Sequence, residues 1–463
     1  MDTPDVRFSR ISKLFVDRDE VTLDVVLAQR QGYSILLSCG DDVGQSYTLQ
    51  LAILTAANIA GRCFPGAVRV ELSQRLAAAP LLLWPSLKQT LGQALLSLLG
   101  PEALMGACHF TAGRTVIFGN ASDDNGSALR LTFDGWIVKV GPVRDCGRLP
   151  EREYCSLVGI LAAALAVSEL FLAFGEISLA ATRRTVALSL WRPDLDVVDP
   201  SALGIPMEFL PRDFWMLGLG HLGNAYIWSL ATLPYRDPGE TKIFLNDFDE
   251  IEPDNVETSL LFNERNVGRY KTRTCGAWLE QRGFRTRFVE RPFDEHFRCR
   301  PDEPKLAFCG FDSNSARRYI ATARFDRVVE SGLGGTPSNF DTISAHTFPN
   351  PRSAEELWPD PAPEEQQKRF SAQEHMARHN AAYAHTGEDE CGRYRLAGKS
   401  IAVPFVGAAA ASLVVAEAIR IFHNGPAYTD IKLSLATPET RAPRVSGNYR
   451  NQDLAASRYC STQ

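Results

Sequence analysis

Residues 213–233 read DFWMLGLGHLGNAYIWSLATL. The first five form a short apolar run behind a charge, which suits a buried strand. Gly218-Leu219-Gly220-His221-Leu222-Gly223 follows, and then a stretch with helical character. Strand, glycine loop and helix in that order give G-x-G-x-x-G its meaning. Glycines let backbone N–H groups come close to a phosphate, and a helix N-terminus favours the anion. A tight strand-to-helix turn with no ligand carries the same letters, and the context favours nucleotide binding. The next predicted strand, KIFLND, ends on Asp247. An acid in that place accepts hydrogen bonds from a ribose. A nicotinamide-dependent oxidoreductase would read the same up to this point.

The discriminating stretch is residues 246–272, NDFDEIEPDNVETSLLFNERNVGRYKT. Asp247, Asn255 and Lys271 are spaced unlike a dehydrogenase. The stretch resembles the ATP site of the HesA/MoeB/ThiF adenylating family, which includes the ubiquitin-activating enzymes. That family's pattern runs D-x-D, then S-N-L-x-R-Q, then G-x-x-K. The resemblance implies a metal-binding aspartate after the fourth strand, and LAFCGFDSNSARR supplies Asp312, followed by Asn314 and Arg317. It implies ATP and Mg²⁺ as cofactors, with Asp312 on the metal and Asp247, Asn255 and Lys271 on the nucleotide. Carboxylate oxygen suits Mg²⁺, and a lysine is a compact charge for phosphates. One residue departs from the pattern: Thr258 stands where the family has an arginine.

Downstream, residues 396–422 read LAGKSIAVPFVGAAAASLVVAEAIRIF, with Cys391 just before them in EDECGRY. The stretch resembles the segment that follows the catalytic cysteine in bacterial family members. Residues 350–390 are polar and contain prolines, as in PDPAPEEQQKR, which suits a mobile connection. In ubiquitin-activating enzymes this connection is the crossover loop that bears the thioester cysteine. A thiolate accepts an activated acyl group in two-step nucleophilic catalysis, so the resemblance makes Cys391 the catalytic thiol. Its acidic neighbours Glu388, Asp389 and Glu390 oppose thiolate formation, and an incidental surface thiol is the other reading. Cys275, Cys299 and Cys309 lie in apolar contexts that suit core residues, while Cys460 sits in a polar tail.

The first half reads as a worn copy of the second. Val158–Phe174 matches Val406–Phe422 at a constant offset, including Gly159 on Gly407 and Glu169 on Glu417. Residues 35–52 lie over 214–231, and 65–74 over 238–247. Repeated order of elements argues for duplication. The copy lacks the chemistry: Cys39 and Asp41 replace Gly218 and Gly220, and Gln74 lies over Asp247. Arg7-Phe8-Ser9-Arg10-Ile11 is similar to the family's N-terminal R-Y-x-R-Q, whose second arginine reaches the partner domain's ATP. The match implies that Arg10 contacts phosphate, and a solvated helix arginine is the alternative.

Composition sets the outer bounds. The 463 residues are 45% hydrophobic and 22% charged with a net charge of −6. These values exclude a disordered chain and give no strong field toward nucleic acid or anionic lipid. The apolar run at 158–174 is interrupted by Glu169 and reads as a buried helix rather than a span. Ten cysteines with no C-x-x-C pair argue against a disulfide framework and a zinc ribbon, so no zinc is expected, and they suit a cytoplasmic chain.

The expected fold is α/β, with two Rossmann-like ThiF-type adenylation domains in tandem as a pseudo-dimer. Residues 1–200 form the inactive one. Residues 205–463 form the active one, with a crossover insertion at about 350–395. The implied activity is ATP-dependent adenylation of a ubiquitin-like protein's C-terminus, thioester formation on Cys391 and transfer to a conjugating enzyme. The layout is most similar to the activating enzymes of bacterial Bil-type conjugation operons, which implies a role in antiphage defence. A sulfur-carrier adenylyltransferase, an oxidoreductase and a non-catalytic scaffold are the competing readings.

Overall fold

The computed structural model describes residues 8–105, 113–123, 126–384, 386 and 389–445. It contains two sheets. The first is built from β1 (Ser34–Cys39), β2 (Ala67–Glu71), β3 (Leu104–Met105), β4 (Arg114–Phe118), β5 (Leu129–Asp134), β6 (Ile137–Pro142) and β7 (Val186–Ser189). The second holds β8 (Asp213–Leu217), β9 (Lys242–Asn246), β10 (Arg285–Val289), β11 (Leu306–Cys309), β12 (Arg327–Leu333), β13 (Thr342–Phe348), β14 (Tyr428–Ser434) and β15 (Ala442–Val445).

Their orders are β3-β2-β1-β4-β5-β6-β7 and β10-β9-β8-β11-β12-β13-β14-β15. In each sheet the first five strands run parallel and those beyond pair antiparallel. The two halves therefore share one topology, and the fold is two Rossmann-like domains in tandem. Ligands in such sheets bind beyond the carboxyl ends of the parallel strands, where the strand order reverses. In the second half that place lies between β8 and β11.

The sheet register corrects one detail of the repeat. Ser34 opens β1 and pairs with Ala67, as Asp213 opens β8 and pairs with Lys242. Glu71 then corresponds to Asn246, so Leu72, not Gln74, is the counterpart of Asp247. Gln74 lies two residues on, opening the short helix Gln74–Ala77.

The two matched apolar helices, Leu157–Phe174 and Pro404–Phe422, pack on each other at the centre of the molecule. Phe171 meets Phe405 with ring centroids 5.2 Å apart. Both helices are long and apolar enough to cross a bilayer, yet 89% and 94% of their apolar windows are buried inside the protein. Each also packs on the helix that follows the first strand of its own half, Tyr47–Cys63 or His221–Ala231. The matched glycines make these approaches possible. A Cβ on Gly159 would lie 2.6 Å from the Thr48 carbonyl, and one on Gly407 would lie 2.5 Å from His221 Nε2. The matched acids also keep one task, each accepting a backbone N–H from the segment that leads to the far edge of its sheet. Glu169 takes that of Thr182 (2.7 Å) and Glu417 that of Tyr428 (2.9 Å).

One continuous core runs through both halves. Trp84 of the first half donates its indole N–H to Ala231 O at 2.7 Å and packs edge-on against Trp228 and Trp278. Arg62 donates to the carbonyls of Leu260 and Phe262, both at 3.1 Å.

Residues 350–395 differ from the irregular connection that their composition suggests. They form the helices Ala354–Leu357, Pro363–His379, Ala381–Ala384 and the start of Glu390–Gly398. Pro363 opens the long helix, Glu364 and Glu365 fill its first turn, and Arg378 and His379 its last. Those charges complement the helix dipole, and Arg369–Glu365 and Arg378–Glu374 add pairs one turn apart. The prolines and acids that suggest a loop are here the marks of a helix start.

Candidate functional site

The glycine loop sits where β8 runs into the helix His221–Ala231. Gly218 has φ +77, a region that disfavours side chains. A Cβ on Gly223 would fall 2.0 Å from the Gly218 carbonyl, and one on Gly310, after β11, 2.7 Å from Gly223 N. Gly220 differs, because a Cβ there would meet nothing within 4 Å. Two glycines thus close the turn, and the third leaves it open toward the surface.

Asp247 lies behind this loop. One carboxylate oxygen accepts the Leu219 N–H at 2.6 Å and the other the Asp249 N–H at 2.9 Å. Burial raises its pKa above the usual carboxylate range, opposed by the nearby Lys271 charge. Both oxygens are thus engaged by backbone, and Asp249 is the more exposed acid of the pair. Lys271 opens the helix Lys271–Glu280, and its ammonium sits 2.7 Å from Asp249 Oδ2. Asn255 is held in the short helix Pro253–Thr258, where its Oδ1 accepts the Glu252 N–H at 3.0 Å. That leaves its Nδ2 as the donor end, with no partner among the described residues.

Thr258 is buried, and its carbonyl accepts Nδ1–H of His221 at 2.7 Å. This fixes the tautomer, so Nε2 carries a lone pair, buried and without a partner among the described residues. Burial pushes the His221 pKa down to about 4, so the ring is neutral near pH 7.

Arg10 opens the N-terminal helix Arg10–Asp19, yet its side chain lies in the second half's site. Its guanidinium is 3.7 Å from Asp254 Oδ2, close enough to His221 for its charge to depress that pKa further. Its Nε is buried with no hydrogen-bond partner among the described residues. Arg7, of the same motif, lies outside the described residues.

Asp312 is exposed on the loop after β11. Arg317 fixes the preceding residue by donating from Nε (2.9 Å) and Nη2 (2.6 Å) to the Phe311 carbonyl. Asn314 begins the next helix and is exposed. Among the described residues no group of three or more His, Cys, Asp or Glu is placed to hold a metal ion.

Cys391 is the second residue of the helix Glu390–Gly398, whose N-cap Asp389 accepts the Gly392 N–H at 2.7 Å. It is exposed, whereas Cys63, Cys146, Cys155, Cys275, Cys299 and Cys309 are buried and Cys39 is partly so. Burial pushes the Cys309 thiol up to about 12, which makes it inert. Cys460 lies outside the described residues. The cysteine helix is braced by Pro363–His379, where Gln373 donates to Tyr394 O at 2.8 Å. The N-terminal helix holds the other side: Lys13 Nζ donates to Tyr383 Oη (2.6 Å) and to Ala397 O (3.0 Å). One helix of the first half thus touches both the nucleotide-loop neighbourhood and the cysteine segment.

Two features escape the sequence patterns. Asp254 stands at the serine of S-N-L-x-R-Q and gathers Arg10 and Lys399, the latter at 2.8 Å. A cavity of about 480 Å³ opens beside β13–β15, lined by Arg317, His346, Arg352, Asp430, Lys432 and Arg444 among others. Behind it Glu330, fully buried, pairs with His346 and lies 3.5 Å from Arg317 Nε. Neither can be read from a local motif, because the partners of Asp254 and the walls of the cavity come from distant segments.

Two family models match the chain in tandem, one described as the BilD N-terminal domain over residues 34–190 and the other as the BilD C-terminal domain over 210–425. The bacterial E1-like protein BilD of Collimonas sp. (strain OK412) is 33% identical over 438 residues, covering 92% of this chain and 91% of that protein. The chain belongs to the BilD family. As a BilD-family member it is E1-like, and it is also 28% identical over 130 residues to the NEDD8-activating enzyme E1 catalytic subunit of Caenorhabditis elegans, covering 27% of this chain and 28% of that protein. Among solved structures, E. coli MccB with AMPCPP and SeMet MccA aligns over 71% of this chain and 97% of that chain, with 14% identity and a TM-score of 0.36. MccB with ATP gives 73% and 98%, 14% identity and a TM-score of 0.33. The boundary between the two BilD matches falls between β7 and β8, where one sheet ends and the next begins.

Proposed function

We propose that the chain activates the C-terminal carboxylate of a ubiquitin-like protein by adenylation with Mg-ATP, holds it as a thioester on Cys391, and passes it to a conjugating enzyme. The observation that carries the reading is the open glycine loop of the second half, with cations approaching from two sides: Lys271 on Asp249, and Arg10 with Lys399 on Asp254. Membership of an E1-like family supports it. The cavity beside β13–β15 is lined by four cations against one aspartate, which suits an acidic stretch of a partner protein.

The residues present fit the nucleotide. Gly218 and Gly223 admit no side chain, and Gly220 faces open space where a phosphate would sit. They also fit Mg²⁺, which keeps most of its waters and takes one or two carboxylates besides phosphate oxygens; Asp312 would hold it. When bound, the metal neutralises part of the phosphate charge.

In the first step a carboxylate oxygen of the substrate attacks the α-phosphorus. The bond from that phosphorus to the bridging oxygen breaks, and pyrophosphate leaves with the electron pair. Lys271, Arg10 and the Asn255 amide stabilise the charge that builds on phosphate oxygen. In the second step the Cys391 thiolate attacks the acyl carbon. The carbon–oxygen bond to AMP breaks and AMP leaves, while the thiol proton passes to solvent or to AMP. The role assigned to Asp247 is to hold the loop by its two backbone bonds, and Asp249 is the acid available to a ribose. The setting we propose is the cytoplasm, where thiols stay reduced, and the biological role antiphage defence.

Pyrophosphate exchange that depends on a ubiquitin-like partner tests the first step, and a thiol-sensitive adduct tests the second. Cys391→Ala is expected to keep exchange within about two-fold and to lose the adduct. An adduct that persists in this variant would move the nucleophile elsewhere. NADH binding without exchange would favour the oxidoreductase reading.

A further inference from the structure

Asp254 is the meeting point of three segments that are far apart in the chain. It lies in the short helix Pro253–Thr258, it holds the Lys399 ammonium at 2.8 Å, and the Arg10 guanidinium stands 3.7 Å away. Lys399 caps the end of the cysteine helix Glu390–Gly398. Asp254 thus gathers two cations, with Glu252 as a second acid beside it. The neighbouring acid Glu257 is engaged elsewhere, paired with Arg30 at 2.9 Å. His221, in the loop itself, is neutral and adds no charge there. Arg10 is not saturated: its Nε is buried without a hydrogen-bond partner among the described residues. The Lys399 side chain keeps 29% of its surface exposed, so an incoming anion can reach it. Thr258, one helical turn after Asp254, is where a positive charge is missing.

We propose that Lys399 is a second phosphate cation, brought to the nucleotide from the end of the cysteine segment, and that with Arg10 it supplies the charge that Thr258 does not. The proposal rests on the adenylation reading and adds a residue to it. Lysine suits this task because its charge is compact and turns freely between one oxygen partner and another. Asp254 positions it: the carboxylate holds both cations in place until phosphate oxygens compete for them. The end of the segment that carries the thiol then reports, through Lys399, whether the triphosphate is present.

The test is calorimetric titration of the full chain with Mg-ATP and separately with AMP, for the unsubstituted protein, Lys399→Gln and Lys399→Arg. Lys399→Gln is expected to weaken ATP about ten-fold and AMP less than two-fold, with Lys399→Arg recovering most of the loss. Equal ATP affinity in Lys399→Gln overturns the proposal. So does an equal loss for ATP and AMP, accompanied by a lower melting temperature, which marks a purely structural pin. Failure of the unsubstituted chain to bind ATP at all would overturn the adenylation reading, and this proposal with it.

Discussion

The two halves run the same strand order into opposite endings. In the second half β8 opens into Gly218–Gly223, and the space beside Gly220 is empty of protein. In the first half the same position, by the register of the repeat, is Asp41, followed by Asp42 where the second half has His221. The turn closes there as a short 3-10 helix, Asp41–Gln45. Asp42 accepts the Asn120 N–H at 3.0 Å and pairs with Arg148 at 2.5 Å. The first half thus carries its own acid where the second has open space, which the proposed function fills with phosphate. The two halves share the sheet order and the packing glycines and differ at the loop, as expected if packing faults destabilise the whole chain and loss of a ligand site does not.

The comparison can be broken residue by residue. Asp312→Ala is expected to abolish pyrophosphate exchange, whereas no substitution in the loop after β4 should affect it. Gly220→Asp writes the first half's acid into the second. The backbone there is φ −74 and a Cβ has room, so the variant is expected to fold. A carboxylate about 4 Å from a phosphate is repelled by roughly 1–4 kcal/mol per charge pair, and ATP carries several charges, so binding should fall by about 100-fold. The reciprocal Asp41→Gly is expected to leave exchange unchanged.

A pH titration sharpens the contrast between Asp42 and His221. The folded pKa of His221 is lowered to about 4 from 6.5, so its contribution to stability is fully present above pH 6.5 and is lost as pH falls toward 4. At about 1.4 kcal/mol per pKa unit the loss is at most about 3 kcal/mol. His221→Asn keeps a donor for Thr258 O but does not titrate, and denaturant melts between pH 4 and 7 should show a flatter profile. Asp42→Ala removes a pair that is about one-third exposed, so a loss below about 1 kcal/mol is expected, with exchange unaffected.

What the sequence reveals and what it hides follow from the range of the interactions. The glycine loop, its strand and helix, and the matched apolar helices are local patterns, and the structure has all of them in place. Burial of Cys275, Cys299 and Cys309 is legible from their apolar neighbours. The alignment of Gln74 with Asp247 is off by two residues, because strand pairing fixes the register and pairing is not written in either strand alone. The helices between 354 and 398 are masked by prolines and acids that serve equally well as helix starts. Asp254, Lys399 and the cation-lined cavity stay hidden because each depends on segments more than 75 residues apart meeting in space.

The central claim is that one phosphate seat per chain lies in the second half. Equilibrium dialysis with labelled Mg-ATP tests it most directly. The account predicts one nucleotide per chain for the unsubstituted protein and for Asp41→Gly, and none for Gly220→Asp. A full equivalent still bound to Gly220→Asp would contradict it.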